Sequence, residues 1–142
     1  MVAVSAHFTA EDRELLERPL HGFFTVAAGP TPPQPRPVWF EVTRDGALQL
    51  FTAPNTPKVR QLERDGRASL VVAAPVGERE RWVSATGPTT MERDGARELV
   101  ERLGARYWDT TDPVRANELA AMLAEDWVRI VIHPEKVSRA AI

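Results

Sequence analysis

Cysteine is absent from this chain. Disulfides, zinc–thiolate centres, iron–sulfur ligation and a thiol nucleophile are therefore all excluded. Histidine is nearly as scarce. His7, His21 and His133 fall in separate segments without metal-ligand spacing, so no metal site is expected. Lysine is reduced to Lys58 and Lys136, against 16 arginines. No run of about 18 apolar residues occurs, which excludes a helical membrane span. A net charge of −2 and a pI near 5.9 argue against a nucleic-acid partner. The N-terminus lacks a secretory pattern, because Met1-Val-Ala-Val-Ser5 is soon followed by Glu11-Asp-Arg-Glu14. A cytoplasmic location is the expectation. The chain also has no Gly-x-Gly-x-x-Gly or Walker-type loop and no Gly-x-Ser-x-Gly elbow. Ser69 and Ser84 sit in strand-like segments without a visible base. The carboxylate pairs Glu11/Asp12 and Glu78/Glu80 read as solvated faces.

What is present describes a globular protein. The chain has 142 residues, 43% of them hydrophobic and 27% charged, and reads as one domain over 1–142. Thr9 caps a short helix that Pro19 stops. Gly22–Ala28 reads as a strand, and the proline-rich loop Gly29–Pro35 follows. Arg36–Val42 reads as a second strand, and Asp45-Gly46 turns it into a third, Ala47–Thr52. A helix over Pro57–Arg64 comes next, with Gly66 expected in the left-handed position that ends it. Strands follow over Arg67–Ala74 and Arg81–Gly87, then helices over Asp94–Arg106 and Pro113–Ala124. Trp127–His133 is expected to close the sheet, leaving a tail to Ile142. Strands joined by short turns imply antiparallel pairing, and about six short strands imply a small barrel or sandwich.

The most informative stretch is Leu50-Phe-Thr-Ala-Pro-Asn-Thr-Pro-Lys58-Val-Arg60-Gln-Leu62. Thr56 is placed as N-cap and Pro57 at the first helical position, where its missing N–H costs nothing. A helix N-terminus carries free N–H groups and partial positive charge. With Lys58, Arg60 and the hydroxyls of Thr52 and Thr56 nearby, it makes a candidate phosphate cradle. The same residues also fit an ordinary capped helix with two solvated basic side chains. Trp39, between Val38 and Phe40, faces opposite to both on a strand. It fits either a flat surface for a planar ring or a packed interior position; Trp82, Trp108 and Trp127 fit the latter more readily.

Several blocks, in order, carry a family resemblance: Thr25-Val26, Pro37-Val-Trp-Phe40, Phe51-Thr52, Lys58-Val-Arg-Gln-Leu62, Arg67-Ala-Ser-Leu-Val71, Thr86-Gly87 and Arg106-Tyr107. Together they resemble the split β-barrel flavin-binding family typified by pyridoxamine 5′-phosphate oxidase. The likeness is to its short branch, which uses FMN or the 5-deazaflavin coenzyme F-420, and it covers about residues 14 to 110. The resemblance implies a mainly β (α+β) fold: a six-stranded antiparallel split β-barrel with short flanking helices. It further implies a homodimer with two cofactor sites at the subunit interface. Arg36, Pro37, Val38 and Trp39 would line the ring system, and Thr52, Thr56, Lys58 and Arg60 would hold the phosphate. Trp82 and Ser84 would come from the partner.

Three departures separate the chain from true oxidases. Pro57-Lys58 replaces an Arg-Lys pair, the Gly29–Pro35 loop replaces an Asp-Gly turn, and Arg139-Ala-Ala-Ile142 lacks the Trp- and Arg-containing C-terminal segment. Pyridoxamine phosphate oxidation is therefore not expected. The implied activity is hydride transfer between FMN or the deazaflavin and a small-molecule acceptor. The alternative is a non-catalytic protein that binds either cofactor or another planar ligand. No catalytic side chain is assigned, since the cofactor carries the reaction. Neither nucleic acid nor membrane is an expected partner.

Overall fold

The computed structural model describes residues 2–27 and 29–142. In chain order the elements are β1 (Val2–Ser5), α1 (Ala10–Leu16), β2 (Gly22–Val26), β3 (Arg36–Val38), β4 (Glu41–Val42), β5 (Leu48–Thr52) and α2 (Pro57–Arg64). They continue with β6 (Arg67–Ala73), β7 (Arg81–Glu92), α3 (Ala96–Tyr107), α4 (Pro113–Leu123), β8 (Val128–Ile132) and β9 (Lys136–Ala141). The strands form one antiparallel sheet in the order β3-β2-β6-β7-β8-β5-β4, with β9 pairing both β7 and β1.

The ends of that order explain the shape. β3 lies at one end and β4 at the other, yet only Trp39 and Phe40 separate them in the chain. Consecutive Cα atoms are about 3.8 Å apart, so the two ends of the sheet must meet. The sheet is therefore curled into a mainly β half-barrel, joined there by covalent chain rather than by a strand ladder. This splits the strand expected over Arg36–Val42: its first part pairs with β2 and its last part with β5. Phe40 turns inward and is fully buried. Its N–H, outside either ladder, donates to Tyr107 Oη at 3.2 Å, and that hydroxyl donates to Leu20 O at 2.7 Å. The neighbouring Arg106 donates to the carbonyls of Leu16, Glu17 and Arg18, three acceptors at the end of α1 that the helix cannot satisfy itself. The guanidinium also lies over the rings of Phe40 and Tyr107, 5.6 and 5.5 Å from their centroids.

On the opposite side, β7 makes the other turn of the sheet. One of its edges pairs with β6 through Arg67↔Pro88. Its other edge pairs with β9 as far as Thr86 and with β8 from Thr89 onward. Gly87 sits at the exchange. A Cβ there would lie 2.0 Å from the carbonyl oxygen of His133, in the segment that crosses from β8 to β9. The His133 and Glu135 amides donate to Pro88 O and Thr86 O, fixing that crossing.

Inside the curl, Leu15 and Leu16 of α1 pack on Phe24, Leu48, Leu50, Leu70, Val72, Ile130 and Ile132. Alternation along each strand sends these residues inward. Asp12, only 3% exposed, closes a capping box with Thr9 and pairs with Arg139 of β9, so the helix is tied to the sheet by charge as well as packing.

The sequence reading is corrected at several points. Among the described residues nine strands form rather than six, because Arg36–Val42 splits into two, the expected tail pairs with β7, and Val2–Ser5 pairs with that tail. β8 therefore lies inside the sheet order instead of closing it. β7 runs on to Glu92, since β8 offers it a second partner. The first strand ends at Val26, and Ala28 lies outside the described residues. Gly66 is not left-handed: α2 ends on Asp65 in an extended conformation, with the Asp65 carboxylate accepting from Arg67 N. The Asp45-Gly46 turn forms as expected, with Gly46 at φ 90°.

Two stability effects are expected. Gly87→Ala must push backbone from backbone and lowers the unfolding free energy by about 3 kcal/mol, read from urea unfolding. An unchanged midpoint would contradict the crossing geometry. Tyr107→Phe strands two backbone groups and costs about 1–3 kcal/mol; thermal denaturation of the variant measures it.

Candidate functional site

A groove opens beside the joint between β3 and β4. It holds about 650 Å³ and runs between β2 and β3 on one side and the end of β5 and the start of α2 on the other. Its lining includes Phe24, Gln34, Arg36, Pro37, Thr52, Thr56, Lys58 and Gln61. A second lobe of about 360 Å³ shares Pro37, Thr52 and Lys58 with the first. Trp39, Phe51, Trp108, Met122 and Trp127 wall it. No histidine or carboxylate lines either lobe, and no group of residues able to hold a metal occurs among the described residues.

Lys58 stands where the lobes meet. It is half-buried, has no hydrogen-bond or ion-pair partner among the described residues, and its ammonium lies 5.3 Å from the Phe24 ring centroid. Burial, and then the charge of Arg36, push its pKa below the ordinary lysine value of 10.5. A cation held in a partly dry site beside a second cation favours an anion. Thr52, 9% exposed at the end of β5, lines the same groove.

The helix start contributes less than expected. Thr56 is the N-cap and Oγ1 accepts from Val59 N at 3.3 Å. Arg60 N donates to Thr56 O, and Pro57 has no N–H. Lys58 N is the one first-turn amide left free among the described residues. The groups that could meet an anion here are Lys58 Nζ, Lys58 N and the Thr52 hydroxyl, with Arg36 alongside. Arg60 turns away: it is exposed, and its guanidinium donates to Asn55 O at 2.6 Å.

Trp39 is held by its neighbours. It stacks on Tyr107 with centroids 5.2 Å apart and planes 3° off parallel, and meets Trp108 and Phe51 edge-on at 4.8 and 6.2 Å. Phe51 in turn meets Trp127 edge-on at 5.0 Å, and Trp127 Nε1 donates to Met122 O. Offset and edge-to-face arrangements of this kind are those aromatic quadrupoles prefer.

Arg36, Pro37, Val38, Trp39, Thr52, Thr56 and Lys58 are thus brought together. Trp82 and Ser84 are not. They lie on β7 on the outer face of the sheet, away from the groove, and Trp82 also borders a separate cleft that includes Asp12 and Arg139. Sequence reasoning missed Phe51, Trp108, Met122 and Trp127 as groove residues, and Gln34 and Gln61. Only the concentration of tryptophan on either side of α4 hinted at them.

Comparison with known proteins agrees with this architecture. The family model described as pyridoxamine 5′-phosphate oxidase matches residues 8–139. Among solved structures, an F-420 reductase superposes with a TM-score of 0.70 at 21% identity, covering 92% of this chain and 98% of that one. A conserved hypothetical protein from Mycobacterium tuberculosis gives 0.69 at 20% identity, covering 92% and 82%. An FAD-binding protein from Mycobacterium smegmatis gives 0.62 at 16%, covering 99% of both chains. At these identities the likeness is one of fold. No curated protein sequence matches the chain. With a curled antiparallel sheet, an uncompensated lysine over an aromatic groove and a family match along nearly its whole length, the chain belongs to the pyridoxamine 5′-phosphate oxidase family.

Proposed function

We propose that this protein is a flavin- or deazaflavin-dependent oxidoreductase that passes a hydride between bound FMN or coenzyme F-420 and a small-molecule acceptor. The observation that carries the reading is Lys58: an unpaired, half-buried cation that joins an anion cradle to an aromatic wall. The residues fit such a group. Lys58, Thr52 and Arg36 would take its phosphate, and the groove volume lies within the range of cofactor sites. The printed names of two structural neighbours, an F-420 reductase and an FAD-binding protein, point to the same ligand class.

A bound flavin or deazaflavin supplies the hydride chemistry. The chain's part is to bind and orient. Pro37, Val38 and Trp39 form a rigid edge, because Tyr107 holds both the Trp39 ring and the Phe40 backbone. Apolar walls keep water from the reacting ring. The lack of histidine or carboxylate in either lobe fits a reaction without protein acid–base steps. It equally favours a carrier that binds and does not turn over, and steady-state reduction of an acceptor separates the two.

The homodimer belongs to this proposal and draws support from the outer sheet face. Strand register aligns Phe23, Val71, Ser84, Ser138 and Val4 in one row across five strands. Ala73, Trp82, Ala140 and Val2 form the next. Neither row holds a charge, while Phe23, Val2 and Val4 are 44%, 55% and 58% exposed. A second copy would cover this face and bring Trp82 and Ser84 to the other subunit's groove.

Lys58→Ala is expected to raise the dissociation constant for FMN or the deazaflavin about tenfold to a hundredfold, the loss of one charge-assisted contact; unchanged binding of both sinks the site. For the unaltered protein, affinity falls as pH rises through the Lys58 pKa, because only the protonated amine attracts phosphate. Since that pKa is lowered, the fall begins at lower pH than an ordinary lysine would give; fluorescence titration across alkaline pH checks it. Val71→Arg is expected to convert the dimer to monomer in sedimentation experiments.

A further inference from the structure

The aromatic lobe has more wall than a phosphate-anchored group requires. Trp39, Trp108 and Trp127, three of the four tryptophans in the chain, line it together with Phe51 and Met122. Each of these aromatic side chains is only partly buried although each packs against another, so ring surface remains open toward the lobe. The wall is braced from behind. Tyr107 stacks on Trp39, and the Arg115 guanidinium lies 4.6 Å from the Trp108 ring centroid on the α4 side. The Trp127 indole N–H is already engaged by Met122 O. The open ring surface is therefore pre-formed and offers stacking.

Charge then narrows the occupant. An aromatic cage by itself also suits a cation. Here the rim holds Lys58 with Arg36 beside it, and the lining contains no carboxylate to compensate a second positive charge. While no phosphate-bearing group occupies Lys58, a cationic ring would enter against uncompensated positive charge in a partly dry site, whereas an anionic substituent would meet Lys58; once the phosphate is bound, a neutral ring fits the lobe.

We propose that the lobe walled by Trp39, Phe51, Trp108, Met122 and Trp127 is the acceptor subsite, and that it takes a planar fused-ring aromatic molecule that is neutral or anionic. This rests on the cofactor reading for the word acceptor only; ring binding in the lobe stands without it. The first lobe, with Phe24, Gln34, Arg36 and Gln61, is left for the phosphate-bearing group, and the two occupants would meet at Pro37, Thr52 and Lys58.

The test is calorimetric titration with naphthalene-2-sulfonate, 2-naphthol, a naphthyl trimethylammonium salt and cyclohexanesulfonate, with and without saturating FMN or deazaflavin. Tryptophan emission provides a second readout. The sulfonate and the naphthol are expected to bind and shift the emission. The saturated ring, and in the absence of cofactor the ammonium salt, are expected to bind at least tenfold more weakly. Trp108→Leu should weaken naphthalene-2-sulfonate about tenfold, in line with the loss of one stacking face, and leave cofactor affinity within twofold. Met122→Glu, placed at the lobe's outer wall, should weaken the sulfonate more than the naphthol. Equal binding of the ammonium salt in the absence of cofactor, or displacement of the naphthol by saturating cofactor, overturns the proposal. Probe binding by a protein that binds neither cofactor would overturn the oxidoreductase reading while leaving the ring subsite in place. Cofactor binding without probe binding would do the reverse.

Discussion

Everything in this molecule turns on the two residues between β3 and β4. Because Trp39 and Phe40 alone connect strands at opposite ends of the sheet, the sheet has no freedom to lie flat. Phe40 is driven into the core, and by alternation Trp39 must face the other way, into the groove. The joint belongs to neither ladder, so its backbone polar groups need another partner. Tyr107 supplies it through one hydroxyl and at the same time stacks its ring on Trp39. A buried amide left without a partner costs about 1–3 kcal/mol, so the same tyrosine serves both fold and site.

Gly87 is the counterpart across the barrel. There β7 exchanges one neighbour for another, and the crossing segment comes so close that no side chain fits. The exchange lets one strand belong to both halves of the sheet. One half carries β2 and β3, the other β4 and β5, and the groove lies where they face each other. Arg106 adds the third tie by capping the carbonyl end of α1, whose leucines fill the interior. The Arg106-Tyr107 pair thus binds helix, joint and aromatic wall in consecutive residues of α3.

The groove inherits its chemistry from this geometry. Lys58 projects from the first turn of α2 into the gap between the sheet ends, where burial and the Arg36 charge both disfavour its protonated form. An anion would relieve that conflict, and the aromatic wall beside it would take a flat ring. The helix dipole and first-turn amides matter less. Pro57 removes one donor, and the cap and the first helical bond occupy two others.

Much of this was legible in the residues. Capping by Thr9, Thr56 and Asp112, the Pro57 and Pro113 helix starts and the Asp45-Gly46 turn follow from local φ, ψ and hydrogen-bonding preferences, which act within a few residues. Lys58 and Thr52 stood out for the same reason, as polar residues at a strand end and a helix start. The sequence by itself therefore determined the element types, the antiparallel pairing and the basic character at α2. Only the tertiary structure decided that Arg36–Val42 breaks at Trp39, that the chain's last residues pair with its first, and that Arg60 leaves the groove. It alone decided that Trp108 and Trp127, some twenty residues apart, share a wall with Phe51. Those outcomes depend on which distant strands become neighbours when the sheet closes, and no local preference encodes that distance.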